Sequence, residues 1–75
     1  MLAGWPPDST FAMDLAEEHR DHLTRWFYRC SLDLHRSLGD LYVDDPRFAR
    51  HYDDRSPGLA RFVRAAIRAN ADRRH

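Results

Sequence analysis

Two short pairs, Asp45-Pro46 and Ser56-Pro57, constrain the fold of this chain more than any other feature. Proline has no N–H and its ring clashes with the preceding helical turn, so a regular helix does not run through either point. An Asp or Ser just ahead can cap a new helix, and proline itself suits a first turn. The chain is thereby cut into helical segments that stop and restart, with a short one between the two pairs. Upstream, Pro6-Pro7 sits in a lead segment, 1–8, and Asp8 or Ser9 can cap the first helix.

Within those limits apolar residues recur at three and four. From Ser9 to about Tyr28, Ala12, Leu15, Ala16, His19, Leu23, Trp26 and Phe27 form one stripe, and acidic residues with Arg25 fill the other side. Leu34, Leu38, Leu41 and Tyr42 mark a second helix from about Leu32 to Val43. Phe48 and Tyr52 mark a short third, ending near Asp53-Asp54. Leu59, Phe62, Val63, Ala66 and Ile67 mark a fourth, opened by Ser56-Pro57 and fraying from Asn70 into a tail at 72–75. No strand alternation or repeat is present. The expectation is an all-α fold, a small four-helix, globin-like domain.

Length and charge narrow the function. Seventy-five residues make one domain, 1–75, that buries only about 60% of its unfolded surface. Cys30 is the sole cysteine, which suits a reducing compartment, and neither a signal peptide nor a membrane span is visible, so a cytoplasmic location is expected. Twelve arginines, with no lysine, balance twelve acidic residues, which argues against direct nucleic-acid binding through bulk charge. The five arginines between Arg61 and Arg74 read as a solvated face of the last helix.

Individual residues carry further expectations. Trp26, Phe27 and Tyr28 sweep about 200° of a helix and cannot share one face; Trp26 and Phe27 are read as core and Tyr28 as partly wet. Leu34, Leu38 and Leu41 are read as core. Cys30 is read as a small buried apolar group. Gly39 costs its helix about 1 kcal/mol relative to alanine, which calls for a close approach by another helix or a ligand. His19, His22, His35 and Cys30 lack the tight pairing of zinc ligands, and no acid or oxyanion hole accompanies Cys30 and His35. No metal, cofactor or catalytic residue is expected.

The run Trp26-Phe27-Tyr28-Arg29-Cys30, then His35 to Val43, then Asp45-Pro46-Arg47-Phe48, resembles a known family. Tyr52-Asp53, Pro57-Gly58-Leu59-Ala60 and Ala69-Asn70-Ala71 continue the likeness, and Ala16-Glu17-Glu18-His19-Arg20 extends it upstream. The family is TipAS, the antibiotic-recognition domain attached to some MerR-type transcription activators. The resemblance implies a cleft between helices that takes a bulky, mostly apolar natural product, thiopeptides being the founding ligands. It places the cleft along His19, His22, Leu23 and Trp26 of the first helix and Cys30, Leu34, Ser37, Leu38 and Leu41 of the second. Ser37 stands where thiopeptide-capturing members carry their reactive cysteine, and Cys30 matches a different, upstream one. A serine is a poor nucleophile toward a dehydroalanine at neutral pH, so the expected binding is noncovalent. The resemblance also implies a further half-domain of helix and lid ahead of Met1. Without that wall, a homodimer or a MerR-type regulator is the alternative partner for the apolar face.

Overall fold

The computed structural model describes residues 6–74. Four helices follow one another: α1 Thr10–Trp26, α2 Leu32–Asp44, α3 Pro46–Asp53 and α4 Leu59–Arg74. No strand occurs among the described residues. The lead residues 1–5 and His75 lie outside them.

Capping follows local chemistry at three of the four starts. Ser9 Oγ accepts from the Ala12 N–H at 3.2 Å and opens α1. Ser31 Oγ accepts from the Leu34 N–H at 3.1 Å and opens α2. Asp45 caps α3 through the Arg47 N–H at 2.9 Å, with Pro46 in the first turn as expected. The fourth start departs from expectation: Ser56 and Pro57 stay in the connecting turn. The chain swings through Gly58 at φ 82°, a conformation that suits glycine, and α4 begins at Leu59. The cap there is Asp53, reaching from the end of α3 to accept from the Ala60 N–H at 3.1 Å.

Helix α4 is the centre of the molecule. α1, α2 and α3 all pack against it, whereas α1 and α2 do not pack closely on each other. The apolar core is small-residued: Ala12 and Ala16 of α1 meet Ala66 and Ile67 of α4, with Tyr42, Phe62 and Val63 packed around them. Ile67 is the largest fully buried side chain. On the α2 side the buried positions are His35 and Gly39. A Cβ on Gly39 would lie 3.4 Å from Ile67 Cδ1 and 3.5 Å from Arg64 Cα, so α4 crosses close enough here to leave room for one methyl and little more. Those distances are ordinary contacts. Gly39→Ala is therefore expected to gain most of the ~1 kcal/mol of helix propensity and raise the melting temperature by a few degrees. Gly39→Val must force methyls into a closed crossing and lose about 1–3 kcal/mol. Thermal melts followed by circular dichroism check both, and equal losses for the two variants would refute the packing account.

The tail does not fray. α4 runs to Arg74, and Asn70, expected at its loose end, is wholly buried. Asn70 donates to Glu17 at 2.9 Å, and its own carbonyl oxygen accepts from Arg73 at 2.9 Å and Arg74 at 3.2 Å. The last helix's arginines are accordingly not all a solvated face. Arg73 meets Asp14 at 2.8 Å, Arg74 meets Glu17 at 3.3 Å, and Arg68 meets Asp40 at 2.6 Å. Arg36 of α2 pairs with Asp72 in the opposite direction.

Helix α1 ends two residues earlier than the apolar pattern suggests, because Cys30 folds back onto it. The Cys30 N–H donates to Thr24 Oγ1 at 3.1 Å and its carbonyl accepts from Arg20 at 2.8 Å. Trp26 and Phe27, expected in the core, are 68% and 69% exposed, and Tyr28 is exposed as well. The contacts of α4 with the α1 stripe fall between Ala12 and His19; beyond them the stripe is half-buried at Leu23 and exposed at Trp26.

Candidate functional site

The α1 stripe passes from one environment to another. Its first half, Ala12, Leu15, Ala16 and His19, walls a pocket of about 220 Å³ closed by Leu59, Phe62, Val63, Ala66 and Ile67 of α4 and Tyr52 of α3. The second half continues to half-buried Leu23 and exposed Trp26. The apolar side chains expected to face it from α2 are Leu34, Leu38 and Leu41. These leucines lie roughly 60° to 160° around α2 from His35 and Gly39, the residues turned to α4, which is why they are not core: Leu34 and Leu41 are exposed and Leu38 half-buried.

Helices α1 and α2 meet through rings. His19 Nδ1 lies 3.0 Å from His35 Nε2. Tyr42 stands 6.2 Å from the His19 ring and continues the contact to Tyr52 at 5.4 Å and Phe48 at 5.7 Å. Burial pushes His35 down to about 4, with the neighbouring His19 and Arg20 charges adding to it. Burial and then His22 lower His19 in the same way. Both imidazoles are thus neutral at pH 7. Burial also pushes the Tyr42 phenol up to about 12.

The sequence-based cleft residues fall into three groups. His19 walls the apolar pocket, whereas Leu23 and Trp26 of α1 and Leu34, Leu38 and Leu41 of α2 lie outside its lining, half-buried at Leu23 and Leu38 and exposed at the others. His22 is exposed with its ring 5.9 Å from Phe27, and Ser37 is exposed, its hydroxyl donating to the Asp33 carbonyl at 3.3 Å. Cys30 is 1% exposed, and burial pushes its thiol pKa up, so the sulfur is a neutral packed group. His35, Tyr42 and Tyr52 were absent from that set. Tyr42 and His35 lay on the helix-two stripe, but a pairing 16 residues apart leaves no local spacing to read.

The sequence profile of the TipAS antibiotic-recognition domain matches residues 1–70. The chain belongs to the TipAS family. Among curated relatives, the transcriptional activator TipA of Streptomyces coelicolor is 51% identical over 73 residues, 97% of this chain and 29% of that protein. The activator mta of Bacillus subtilis is 38% identical over 61 residues, 81% of this chain and 24% of that protein. This TipAS chain therefore spans less than a third of the regulators it matches. TipAS of Streptomyces lividans, solved in complex with nosiheptide within a thiopeptide resistance system, superposes with a TM-score of 0.88 at 50% identity. That alignment takes in 96% of this chain and 50% of the other. The antibiotic-binding domain of a TipA-class multidrug-resistance regulator gives 0.85, also at 50% identity, over 96% and 77% of the two chains. The all-α arrangement of this TipAS chain is the one these antibiotic-binding domains share.

Proposed function

We propose that this domain recognises a bulky, mostly apolar natural product of the thiopeptide kind by noncovalent binding, as a sensing or sequestering module without chemistry on its ligand. The observation that carries the reading is the uncovered α1 stripe, which leads from an apolar pocket out to Trp26, in a chain half identical to the nosiheptide-binding TipAS. Exposed apolar surface of this extent usually marks a binding site, and aromatic rings supply large contact area at low entropy cost. A role within a MerR-type regulator, or in self-resistance, would place the domain in the cytoplasm. Titration of the purified chain with nosiheptide and a panel of other thiopeptides tests it. A change in Trp26-region fluorescence and a heat of binding at micromolar ligand are expected. Silence across the panel would count decisively against the reading.

Noncovalent binding has its own check. Ser37 offers a hydroxyl where thiol-bearing members act, and Cys30 is shut away. In Ser37→Cys an exposed thiolate can add across a dehydroalanine alkene, forming a C–S bond with no leaving group. Intact-mass spectrometry is expected to show a ligand adduct for Ser37→Cys and none for the parent chain.

The exposure of Trp26 and Phe27 also favours a second reading, in which a second copy or a larger regulator covers this face. Sedimentation across a wide concentration range discriminates: a monomer throughout would remove the homodimer.

A further inference from the structure

The pocket walled by α1 and α4 is apolar apart from two side chains, His19 and Tyr52. Neither His19 Nε2 nor the Tyr52 hydroxyl has a hydrogen-bond partner among the described residues. The His19 ring turns Nδ1 to His35, which leaves Nε2, on the other side of the ring, as the polar atom it can offer to the pocket. What Nε2 can offer depends on His35.

We propose that His19 Nε2–H is the donor that orients a ligand in this pocket, and that buried His35 is the positioning residue that keeps it a donor. The inference rests on the ligand-binding reading above and adds the polar contact to it. Only one proton can lie in the 3.0 Å bond between two neutral imidazoles. In one arrangement His35 Nε2–H donates to His19 Nδ1, and His19 carries its proton on Nε2. In the reverse arrangement both rings are protonated on Nδ1, which is the less stable tautomer of free imidazole side chains. His35 Nδ1 is fully buried with no partner, so the reverse arrangement would also strand an N–H there. Stranded buried N–H groups are rarer than stranded acceptors. Both considerations favour the same tautomer. The lowered pKa values of the two rings keep the pair neutral at pH 7. The lining sets the ligand class: an apolar group that fits about 220 Å³ and carries an acceptor, a carbonyl oxygen or a heteroaromatic nitrogen, at its edge. A donor that the ligand covers and leaves unpaired costs more than a paired one returns, so an analogue without the acceptor binds more weakly.

Two measurements test this separately. Long-range proton–nitrogen correlation spectra of the nitrogen-15-labelled, ligand-free chain at neutral pH are expected to show His19 protonated at Nε2 and bare at Nδ1. The opposite pattern overturns the proposal whatever the chain binds. With nosiheptide as the probe, His19→Leu is expected to weaken binding about tenfold, the worth of one hydrogen bond. His19→Gln, which keeps an N–H at similar reach, is expected to recover most of that loss. Equal affinity for parent and His19→Leu overturns the donor's role and leaves the ligand-binding reading intact. A parent chain that ignores the whole thiopeptide panel overturns the ligand-binding reading and the donor's role with it, and the tautomer spectrum still stands on its own.

Discussion

Acidification from pH 6.5 to pH 4 is expected to remove up to about 3 kcal/mol of folding stability, through His35. Unfolded, this imidazole titrates near 6.5; folded, burial holds it at about 4. Above 6.5 neither state binds the proton and the stabilising difference is complete. Between 6.5 and 4 only the unfolded chain is protonated, so stability falls as pH falls. Below 4 both states are protonated and this loss stops growing. The groups around the ring are His19 from α1, whose own pKa is lowered, with Arg20 opposing and Glu17 favouring the proton. Glu17 then adds a second, lower window. The Arg20 guanidinium, the Asn70 amide and Arg74 hold its carboxyl at about 2 against an ordinary 4.5. Its stabilisation is present above 4.5 and is lost between 4.5 and 2. Solvent on one side of this cluster screens it, so about 1–2 kcal/mol is the expected share. Urea melts by circular dichroism from pH 8 to pH 3 should show the midpoint falling in two stages. His35→Phe should flatten the upper stage and Glu17→Gln the lower. A midpoint constant from pH 6.5 to 4.5 in the parent chain would refute the His35 account.

The second large effect is at Ile67. Replacing it with alanine is expected to cost about 3–4 kcal/mol, a major part of the margin of a domain this size. Most other buried apolar positions are alanines, so only the half-buried Tyr42, Phe62 and Val63 at the margin of the core could move toward the space. Ile67→Val, which removes only the terminal methyl, should cost about 1 kcal/mol. Denaturant melts of both variants check the gradation. Equal midpoints for parent and Ile67→Ala would mean that α4 is not seated on this residue.

Helix number, most boundaries and two of the four caps were legible because a cap is a local event. Ser9 and Asp45 act on N–H groups two or three residues away, and that distance is visible along the chain. The fourth start was misread because its cap, Asp53, acts across a turn on Ala60, and Ser56-Pro57 imitates a cap without being one. Asn70 was misread for a related reason. Near a chain end an asparagine looks like a loose residue, and only its pairing with Glu17, 53 positions away, makes it core. The apolar stripes were found correctly but not what covers them. A pattern of leucines and aromatics states that a face is apolar. It does not state what covers that face, and among the described residues Trp26, Leu34 and Leu41 stay exposed.

The central position of α4 has a consequence for how the molecule comes into being at the ribosome. α1, α2 and α3 emerge first, yet α1 has little to rest on until the last of the four helices arrives. The clasps that close the structure, Asp14 to Arg73 and Glu17 to Asn70, join its opening helix to its final turns. Of the partners these four helices offer it, α1 gains its main packing surface only once α4 is made. Until then α2 and α3 can already pair with each other, while the α1 face that meets α4 stays bare. A premature stop inside α4 would leave α1 without the surface it closes on, where one in a protein folding from its N-terminus would spare the earlier parts.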